Sequence, residues 1–482
     1  MTDLKQNSDN TDSWVTFINL ENRIYSPRMK WVNGSIYIAG EIYSSYNYDE
    51  TIYLTKFHNN GTKLWEKNWD TPEKDRLCGF EIDSLENVYL LCTKDVSWPY
   101  DQPESILLLK YSCSGELFWA KTINTSRSCY AYTLKLDQSD FVYIAGVVRN
   151  NSVDYYFLQK LNNSGDIIWN NRIESNVEQL ELDSQNNIYI YGVDSNYFPT
   201  LYKYNSTGSK LWSINLEQSN DVSSMKIDSN NDILLTGKKY YYYNDSHIMW
   251  ISKYNNSGIL TNKLEFISIE YDWDRRGKTW FINNDIYIFI DYPLSPNYCL
   301  LKYNNTFQLD WNATLNEYYA RSSYYGWGFT VVDVDSHDNM TFCYSNTRIE
   351  YYRKTGINSR KTLDVAILKL ESSGEIFSHY YWGGSYQDSP MQIFIDPADD
   401  VYLLCYCDYV NKWNKEESHL MLIKNPEING KPPGLEYIFG FYDYYVFSFL
   451  GFMSLISIIL LISIIKPKLR RIRKIRSSHI TR

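Results

Sequence analysis

The chain has 482 residues, of which 44% are hydrophobic, 22% are charged and 17% are aromatic, and its formal net charge is −10. Such a chain can bury a large core, and its length alone would correspond to two or three ordinary domains. The 46 tyrosines and 15 tryptophans favour strands because flat rings pack well on pleated sheets. No long amphipathic helix precedes residue 440, which excludes a mainly helical fold.

The N-terminal residues are polar and contain no apolar segment typical of a signal peptide. Residues 1–11 are therefore predicted to be a disordered N-terminus. A short strand follows, Trp14–Ile18, which looks like the last strand of a repeat without the rest of that repeat before it.

One strand pattern, usually with tyrosine in second place, then recurs eight times. The copies are Ile36–Gly40, Val88–Cys92, Val142–Gly146, Ile188–Gly192, Ile233–Gly237, Ile286–Ile290, Met340–Tyr344 and Val401–Cys405. Successive copies lie about 45 to 61 residues apart, an interval expected of four-stranded propeller blades with loops of variable length. Polar turns such as Asp183–Asn187 precede these strands.

A second strand and a glycine turn follow most copies of the pattern. The second strand carries leucine and lysine, as in Leu201–Lys203. Four glycines are each followed four residues later by a tryptophan, and the pairs are Gly61 and Trp65, Gly115 and Trp119, Gly165 and Trp169, and Gly208 and Trp212. Gly258 and Gly374 keep the turn without the tryptophan. Glycine suits such turns where the hairpin needs a positive φ.

The strands are apolar almost continuously, which indicates that neighbours cover both of their faces. An amphipathic sandwich would show a cleaner alternation of apolar and polar residues. The last repeat lacks its final strand, and Trp14–Ile18 would complete it. We therefore predict an all-β fold, an eight-bladed β-propeller over residues 12–424, closed by pairing of the N-terminal strand with the last blade.

The repeated pattern is a polar turn, N-x-Y-hydrophobic-x-G, L-x-K-Y and S-G-x-x-x-W. It resembles the SBBP-type β-propeller repeats of prokaryotic surface proteins and, more loosely, the quinoprotein propeller repeats. The resemblance covers roughly residues 12–424 and implies a surface protein. The quinoprotein pattern has Ala and Asp where this chain has Tyr202 and Tyr204, so the resemblance does not imply a bound quinone.

The C-terminal region has the composition of a membrane anchor. Residues 425–438 are predicted to be a linker rich in proline and glycine. Residues 439–466 are predicted to be a transmembrane helix with an aromatic belt, because Val446–Ile465 contains 20 uncharged residues, enough to span the hydrocarbon region.

The remaining residues, 467–482, form a basic tail. The residues expected to orient the helix are Lys466, Lys468, Arg470, Arg471, Arg473, Lys474 and Arg476. The positive-inside rule places this tail in the cytoplasm and the propeller outside a single-pass cell-membrane protein. A tail of this kind could also bind anionic lipid or nucleic acid, but its position after an apolar span favours an anchor, so no nucleic-acid partner is expected.

Eleven N-x-[ST] sequons are candidate glycosylation sites in an exported domain: Asn33, Asn60, Asn124, Asn150, Asn162, Asn205, Asn244, Asn255, Asn304, Asn312 and Asn339. The cysteines show no zinc-like spacing. Most are expected to be buried thiols, and the sequence leaves a Cys113–Cys129 disulfide as an alternative outside the cell. No resident cofactor is expected. The segment Asp333–Asn339 could hold calcium, although Asx-turn chemistry explains the same residues.

The sequence favours a binding or adhesion module at the cell surface, with a surface protein or a carbohydrate as its ligand. Aromatic segments that could contact such a ligand are 240–243, 271–276 and 318–327. No nucleophile elbow, phosphate-binding loop or dinucleotide motif is present, so the sequence favours binding over catalysis but leaves open whether the chain is an enzyme. Two alternatives remain, an exported enzyme that acts on glycans through paired carboxylates, and a cytosolic tail-anchored scaffold.

Overall fold

The computed structural model describes residues 13–19, 23–44, 49–70, 74–95, 104–126, 128–149, 154–194, 198–216, 220–241, 246–269, 278–291, 298–315, 330–349, 361–382, 388–410 and 416–426. Within these ranges, 32 β-strands form eight antiparallel sheets of four strands each. The predicted eight-bladed β-propeller is confirmed.

Each blade is a four-stranded meander, and the blades follow one another along the chain. Strand β1 (Trp14–Asn19) precedes blade 1, which contains β2 (Ile24–Val32), β3 (Ser35–Ser44), β4 (Asp49–His58) and β5 (Lys63–Trp69). Blade 2 contains β6 (Lys74–Ile82), β7 (Val88–Asp95), β8 (Glu104–Tyr111) and β9 (Leu117–Ser126). Blade 3 contains β10 (Ser128–Leu136), β11 (Val142–Arg149), β12 (Tyr155–Leu161) and β13 (Ile167–Ile173), and blade 4 contains β14 (Gln179–Leu182), β15 (Ile188–Val193), β16 (Pro199–Tyr204) and β17 (Lys210–Asn215).

The second half of the ring has the same organisation. Blade 5 contains β18 (Asn220–Ile227), β19 (Ile233–Tyr241), β20 (Ser246–Tyr254) and β21 (Leu260–Ile269). Blade 6 contains β22 (Lys278–Ile282), β23 (Asp285–Asp291), β24 (Tyr298–Tyr303) and β25 (Leu309–Leu315). Blade 7 contains β26 (Thr330–Val334), β27 (Met340–Ile349), β28 (Lys361–Leu370) and β29 (Ile376–Trp382), and blade 8 contains β30 (Asp388–Ile395), β31 (Val401–Val410), β32 (Glu416–Lys424) and the N-terminal strand β1.

Strand β1 closes the ring as the fourth strand of blade 8. It pairs antiparallel with β32, and Val15 lies opposite Ile423. The Ser13 hydroxyl donates a hydrogen bond to the carbonyl of Asn425 at 3.2 Å. The predicted closure is therefore confirmed.

The hydrophobic core lies between the blades. One cluster, for example, joins Tyr89 and Leu91 of blade 2 to Leu134 and Val142 of blade 3. The second strands are buried almost throughout, and Ile188 to Tyr191 of β15 are at most 2% exposed. Burying a large apolar side chain stabilises the fold by about 1.5–3 kcal/mol, so these aromatic strands drive the blades together.

Tryptophans on the fourth strands join each of six blades to the next one. The Trp212 ring packs against the turn at Gly258 in the following blade, and its Nε1 donates to the carbonyl of Asn256 at 3.2 Å. The other pairs are Trp14 with Gly61, Trp65 with Gly115, Trp119 with Gly165, Trp169 with Gly208, and Trp311 with Gly374. All six glycines have a positive φ, which favours glycine. At four of them the indole also lies within 3.0 Å of the place that a Cβ would take, and these are Gly61, Gly115, Gly165 and Gly374.

A buried ion pair lies beneath several of these tryptophans. In blade 3, the Lys160 Nζ lies 3.4 Å from Asp137 Oδ2 and donates to the Tyr143 hydroxyl at 2.6 Å. The Tyr143 hydroxyl also donates to Asp137 at 3.1 Å. Burial raises the pKa of Tyr143, and the neighbouring Asp137 raises it further. Equivalent lysine and aspartate pairs occur in blades 2, 4 and 5. Each charged group of these four buried pairs therefore has a partner of opposite sign.

Candidate functional site at the central channel

The meander gives the ring two different faces. The turns between first and second strands and between third and fourth strands lie on one side, which we call the turn face. The connections between second and third strands and between blades lie on the other side, which we call the loop face. The first strands of neighbouring blades lie against each other, as β6 against β10 and β30 against β2, so they surround a central channel.

An arc of alternating charges lines the first strands at one level. Its members are Lys30, Glu81, Lys135, Glu181 and Lys226, and each lies opposite the tyrosine, or in blade 5 Leu234, of its second strand. Lys30 pairs with Glu81, and Glu181 pairs with Lys135 at 3.0 Å and with Lys226 at 3.8 Å. The sequence does not predict this arc, because the first strands lack the repeated apolar pattern of the second strands.

The equivalent positions of blades 6 to 8 hold Trp280, Asp333 and Phe394. Asp333 Oδ2 accepts a hydrogen bond from the Ile395 N–H at 2.7 Å and so joins blade 7 to blade 8. Burial raises the pKa of Asp333. The Gln392 side chain then joins blade 8 to blade 1 through the backbone N–H and carbonyl of Met29, at 2.7 and 2.8 Å. These contacts fix the channel wall.

Bulges in the first strands leave some backbone N–H groups without a partner in their own sheet. Side chains of the preceding blade accept hydrogen bonds from these groups. Glu41 accepts from Leu77 at 2.7 Å, and Thr93 accepts from Ala131 at 3.0 Å. In blade 8 the bulge residue is Pro390, which has no N–H. Ser345 occupies the place of Thr93 in blade 7, and its buried hydroxyl has no hydrogen-bond partner among the described residues.

Arginines and tyrosines from three blades meet at the loop-face mouth of the channel. The Arg23 guanidinium lies 5.0 Å from the ring centroid of Tyr25 and 5.3 Å from that of Tyr406. Nearby, Arg76 Nε is 4.0 Å from Glu50 Oε2. Burial raises the pKa of Glu41, and the negative charge of Glu50 raises it further. Two neighbouring carboxylates are what a glycan-acting enzyme requires, but Glu41 already binds the N–H of Leu77.

The turn face has a shallow cavity of about 280 Å³ where the first strands of blades 3 to 5 end. Its polar groups are bonded to one another. Asp183 Oδ1 accepts the backbone N–H groups of Gln185 and Asn187 at 2.9 and 2.8 Å. Ser184 donates through N–H and hydroxyl to Asn231 Oδ1 in the next blade. The cavity is therefore explained by the turns that form it.

The segment Asp333–Asn339, for which the sequence leaves calcium as an alternative, includes the corresponding turn of blade 7. Ligand atoms of Asp335, His337 and Asp399 lie within 4.8 Å of one another. Asp335 Oδ1 accepts two N–H groups of its own turn, and Asp399 accepts the N–H and hydroxyl of Ser336 at 2.7 and 2.8 Å. Asp140 binds Ser84 in the same way without a histidine nearby, so this arrangement is a repeated contact between turns.

Four of the eleven sequon asparagines have a structural role in turns. In Asn162, Asn205, Asn255 and Asn304 the side-chain Oδ1 accepts backbone N–H groups two and four residues ahead. The Thr207 hydroxyl also donates to Asn205 Oδ1 at 2.7 Å. An Asx turn that needs asparagine first and a small hydroxyl residue third has the sequence of a sequon. Glycosylation at these positions stays a prediction.

The other sequons differ in position. Asn33, Asn60 and Asn339 lie in turn-face segments, and Asn312 is exposed on β25. The side chain of Asn124 and the whole of Asn150 and Asn244 lie outside the described residues. None of the described cysteines forms a disulfide. The alternative Cys113–Cys129 bond is absent from the described residues, and Cys113 is exposed whereas Cys129 is buried.

Several further predictions also fall outside the described ranges. They concern residues 1–11, the linker beyond Pro426, the helix at 439–466, the tail at 467–482, and most of the three aromatic segments. Among the residues that the structure describes, no helix is long and apolar enough to cross a membrane.

No family model and no curated protein matches this chain. Similar solved structures include the β-propeller domain of the Trilobed protease from Pyrococcus furiosus, with 9% identity, a TM-score of 0.39, and coverage of 75% of this chain and 96% of that one. The polysaccharide lyase Uly1 has 9% identity and a TM-score of 0.40, with coverage of 72% and 91%. Puromycin hydrolase has 9% identity and a TM-score of 0.44, with coverage of 80% of this chain but 59% of that one. At these identities and TM-scores the similarities carry no conclusion about ligand or activity.

Proposed function

We propose that this chain is a membrane-anchored binding module, whose propeller stands outside the cell membrane and presents its loop face to a surface protein or carbohydrate. The observation that carries the proposal is the point at which the chain leaves the ring. That point is on the turn face, opposite the long connections.

The exit is fixed by hydrogen bonds. Strand β32 runs towards the turn face and ends at Lys424. The Asn425 N–H donates to the Val401 carbonyl at 2.7 Å, and its Oδ1 accepts the Val401 N–H at 2.8 Å. Its Nδ2 donates to Asp400 at 2.7 Å. We therefore propose that, with Val446–Ile465 as the span, the turn face is directed towards the bilayer and the loop face away from it.

The turn face and the loop face differ in the length of their connections, and this difference supports a binding site on the loop face. The turn face consists of short turns that bind one another, as Ser84 binds Asp140. The connections on the loop face vary from one residue (127) to fourteen (316–329). Segments of variable length on a rigid scaffold are where binding specificity usually lies. The resemblance to SBBP-type repeats of surface proteins supports the same location.

The tail at 467–482, with Lys466 before it, supports the orientation because basic residues beside a span stay in the cytoplasm. The test is protease treatment of intact cells that express the chain with a C-terminal epitope. We expect the propeller to be digested while a small fragment with the epitope survives. Protection of the propeller until the cells are permeabilised would contradict the proposal and support the tail-anchored scaffold.

A further inference from the structure

We propose that the loop-face mouth of the channel between blades 8, 1 and 2 binds the carboxylate or sulfate groups of an acidic polysaccharide, with Arg23 as the principal contact. The inference rests on the proposed function, since it names the ligand class of the loop face. It is carried by the contacts of Arg23, Tyr25, Tyr406 and Arg76.

Arg23 is held in place by contacts with two aromatic rings. Its guanidinium lies over the rings of Tyr25 and Tyr406, at 5.0 and 5.3 Å from their centroids. The Tyr406 hydroxyl donates to the carbonyl of Ile24, which fixes that ring. Within the described part of the chain, no carboxylate lies at ion-pair distance from Arg23. A guanidinium stacked on rings keeps its N–H groups directed outwards, where they bind planar oxyanions in pairs.

Two more arginines add positive charge to the same mouth. Arg76 is 59% exposed, and its contact with Glu50 is 4.0 Å, at the limit of an ion pair. Arg28 donates to the carbonyls of Cys78 and Leu77 at 3.0 and 3.2 Å. Hydrogen bonds to neutral carbonyls leave its charge in place. Among the described residues, these three guanidinium groups lie near the carboxylates of Glu41, Glu50 and the buried Asp75.

The aromatic part of the mouth favours a sugar over other anions. Tyr25 is 38% exposed, so part of its ring is open to solvent beside the Arg23 guanidinium. A flat apolar surface next to a bidentate donor suits a pyranose ring that carries a carboxylate or sulfate. A polyglutamate peptide would use the arginines but has no flat apolar face to pack on the ring.

The chain provides a matched control in Arg172. Its guanidinium lies 4.1 Å from the ring centroid of Tyr155, yet it belongs to β13, the fourth strand of blade 3, away from the channel. Arg172→Gln removes the same charge and the same type of ring contact at another place. Any loss that is specific to Arg23 is then a property of the mouth.

The experiment uses the full chain in detergent and titrates it by calorimetry with a polygalacturonate oligomer, a heparin-derived oligosaccharide and, as the neutral probe, maltohexaose. The two acidic probes separate carboxylate from sulfate. We expect an acidic probe to bind, with affinity that falls as salt rises, and the neutral probe not to bind. Arg23→Gln should weaken binding at least tenfold, Arg23→Lys should weaken it less, and Arg172→Gln should leave it unchanged.

Failure to bind either acidic probe would overturn the proposal, as would unchanged binding by Arg23→Gln with an unchanged unfolding transition. Equal affinity for a polyglutamate peptide would overturn the choice of a polysaccharide. The result is independent of cellular location. If an acidic probe binds a chain that cells keep in the cytosol, the site is retained and the proposed function is refuted. If the propeller stands outside the membrane but binds neither acidic probe, the proposed function is retained and the site is refuted.

Discussion

Trp14 lies opposite Lys424 in the antiparallel pair of β1 and β32, although the two residues are near opposite ends of the described chain. The Trp14 ring packs on Gly61 in blade 1, and its Nε1 donates to the carbonyl of Asn59 at 3.0 Å. Trp14 thus belongs to the strand that completes blade 8, and its side chain joins that blade to blade 1. The N-terminal strand is therefore part of the ring and is needed to close it.

Trp14→Ala should lower the free energy of unfolding by about 3–5 kcal/mol, because Trp14 is only 6% exposed and its removal leaves a cavity between blades. Denaturant unfolding followed by tryptophan fluorescence or circular dichroism measures this. Leu64→Ala is the control, since Leu64 is 50% exposed. An equal effect of the two substitutions would contradict the role of Trp14 in closure.

The glycine turns offer a matched pair for the contact between blades. Gly208 and Gly258 have φ of +84° and +80°, but an added Cβ would lie 2.3 Å from Asn171 Nδ2 at Gly208 and 3.4 Å from the Trp212 ring at Gly258. Both alanine variants should lose about 1 kcal/mol to the positive φ. Gly208→Ala should lose measurably more in thermal unfolding. Identical losses would show that the packing against blade 3 is loose.

Ser345 and Thr93 occupy equivalent places with opposite consequences. Ser345→Ala should leave stability unchanged or raise it by about 1 kcal/mol, because the buried hydroxyl has no partner among the described residues. Thr93→Val should lower stability by about 1–3 kcal/mol, since the N–H of Ala131 would lose its acceptor. Equilibrium unfolding of the two variants tests this, and the reverse order would refute it.

Two aspartates should give opposite dependence on pH. The folded-state pKa of Asp333 is raised by burial, so wild type should gain stability relative to Asp333→Asn as pH falls through that raised pKa towards the ordinary value near 3.8. The pKa of Asp399 is lowered by its hydrogen bonds from Ser336. Wild type should therefore lose stability relative to Asp399→Asn as pH falls below that ordinary value. Unfolding curves across this range measure both, and the same sign for both would contradict the assignment.

The sequence predicts the second and third strands of each blade because their buried residues form a repeated apolar pattern. It does not reveal the first strands. Strand β14 has only four residues, Gln179–Leu182, and half-buried charges such as Glu181 interrupt its apolar pattern. A strand that lines a channel contacts neighbours on one side and the channel on the other, so its composition resembles that of a loop. The charged arc and the arginine mouth were missed for this reason.

The turn between the third and fourth strands of blade 6 does not match the glycine pattern. Phe307 stands where blades 1 to 5 and blade 7 have glycine, and it adopts the same left-handed backbone with φ of 66°. Trp311 follows it four residues later, as in the predicted pattern. Packing in the core outweighs the cost of that backbone at Phe307, which is partly buried against blades 5 and 6. A motif based on glycine alone could not have found this turn.

The most direct test of the central claim uses Cys113, which is exposed in the Ser112–Glu116 turn, whereas the other described cysteines are buried or half-buried. Intact cells that express the chain are treated with a charged maleimide that does not cross membranes, and labelling is compared between wild type and Cys113→Ser. If the propeller stands outside, wild type should be labelled on intact cells and the Cys113→Ser variant should not. Labelling of Cys113 only after the membrane is permeabilised would contradict the account.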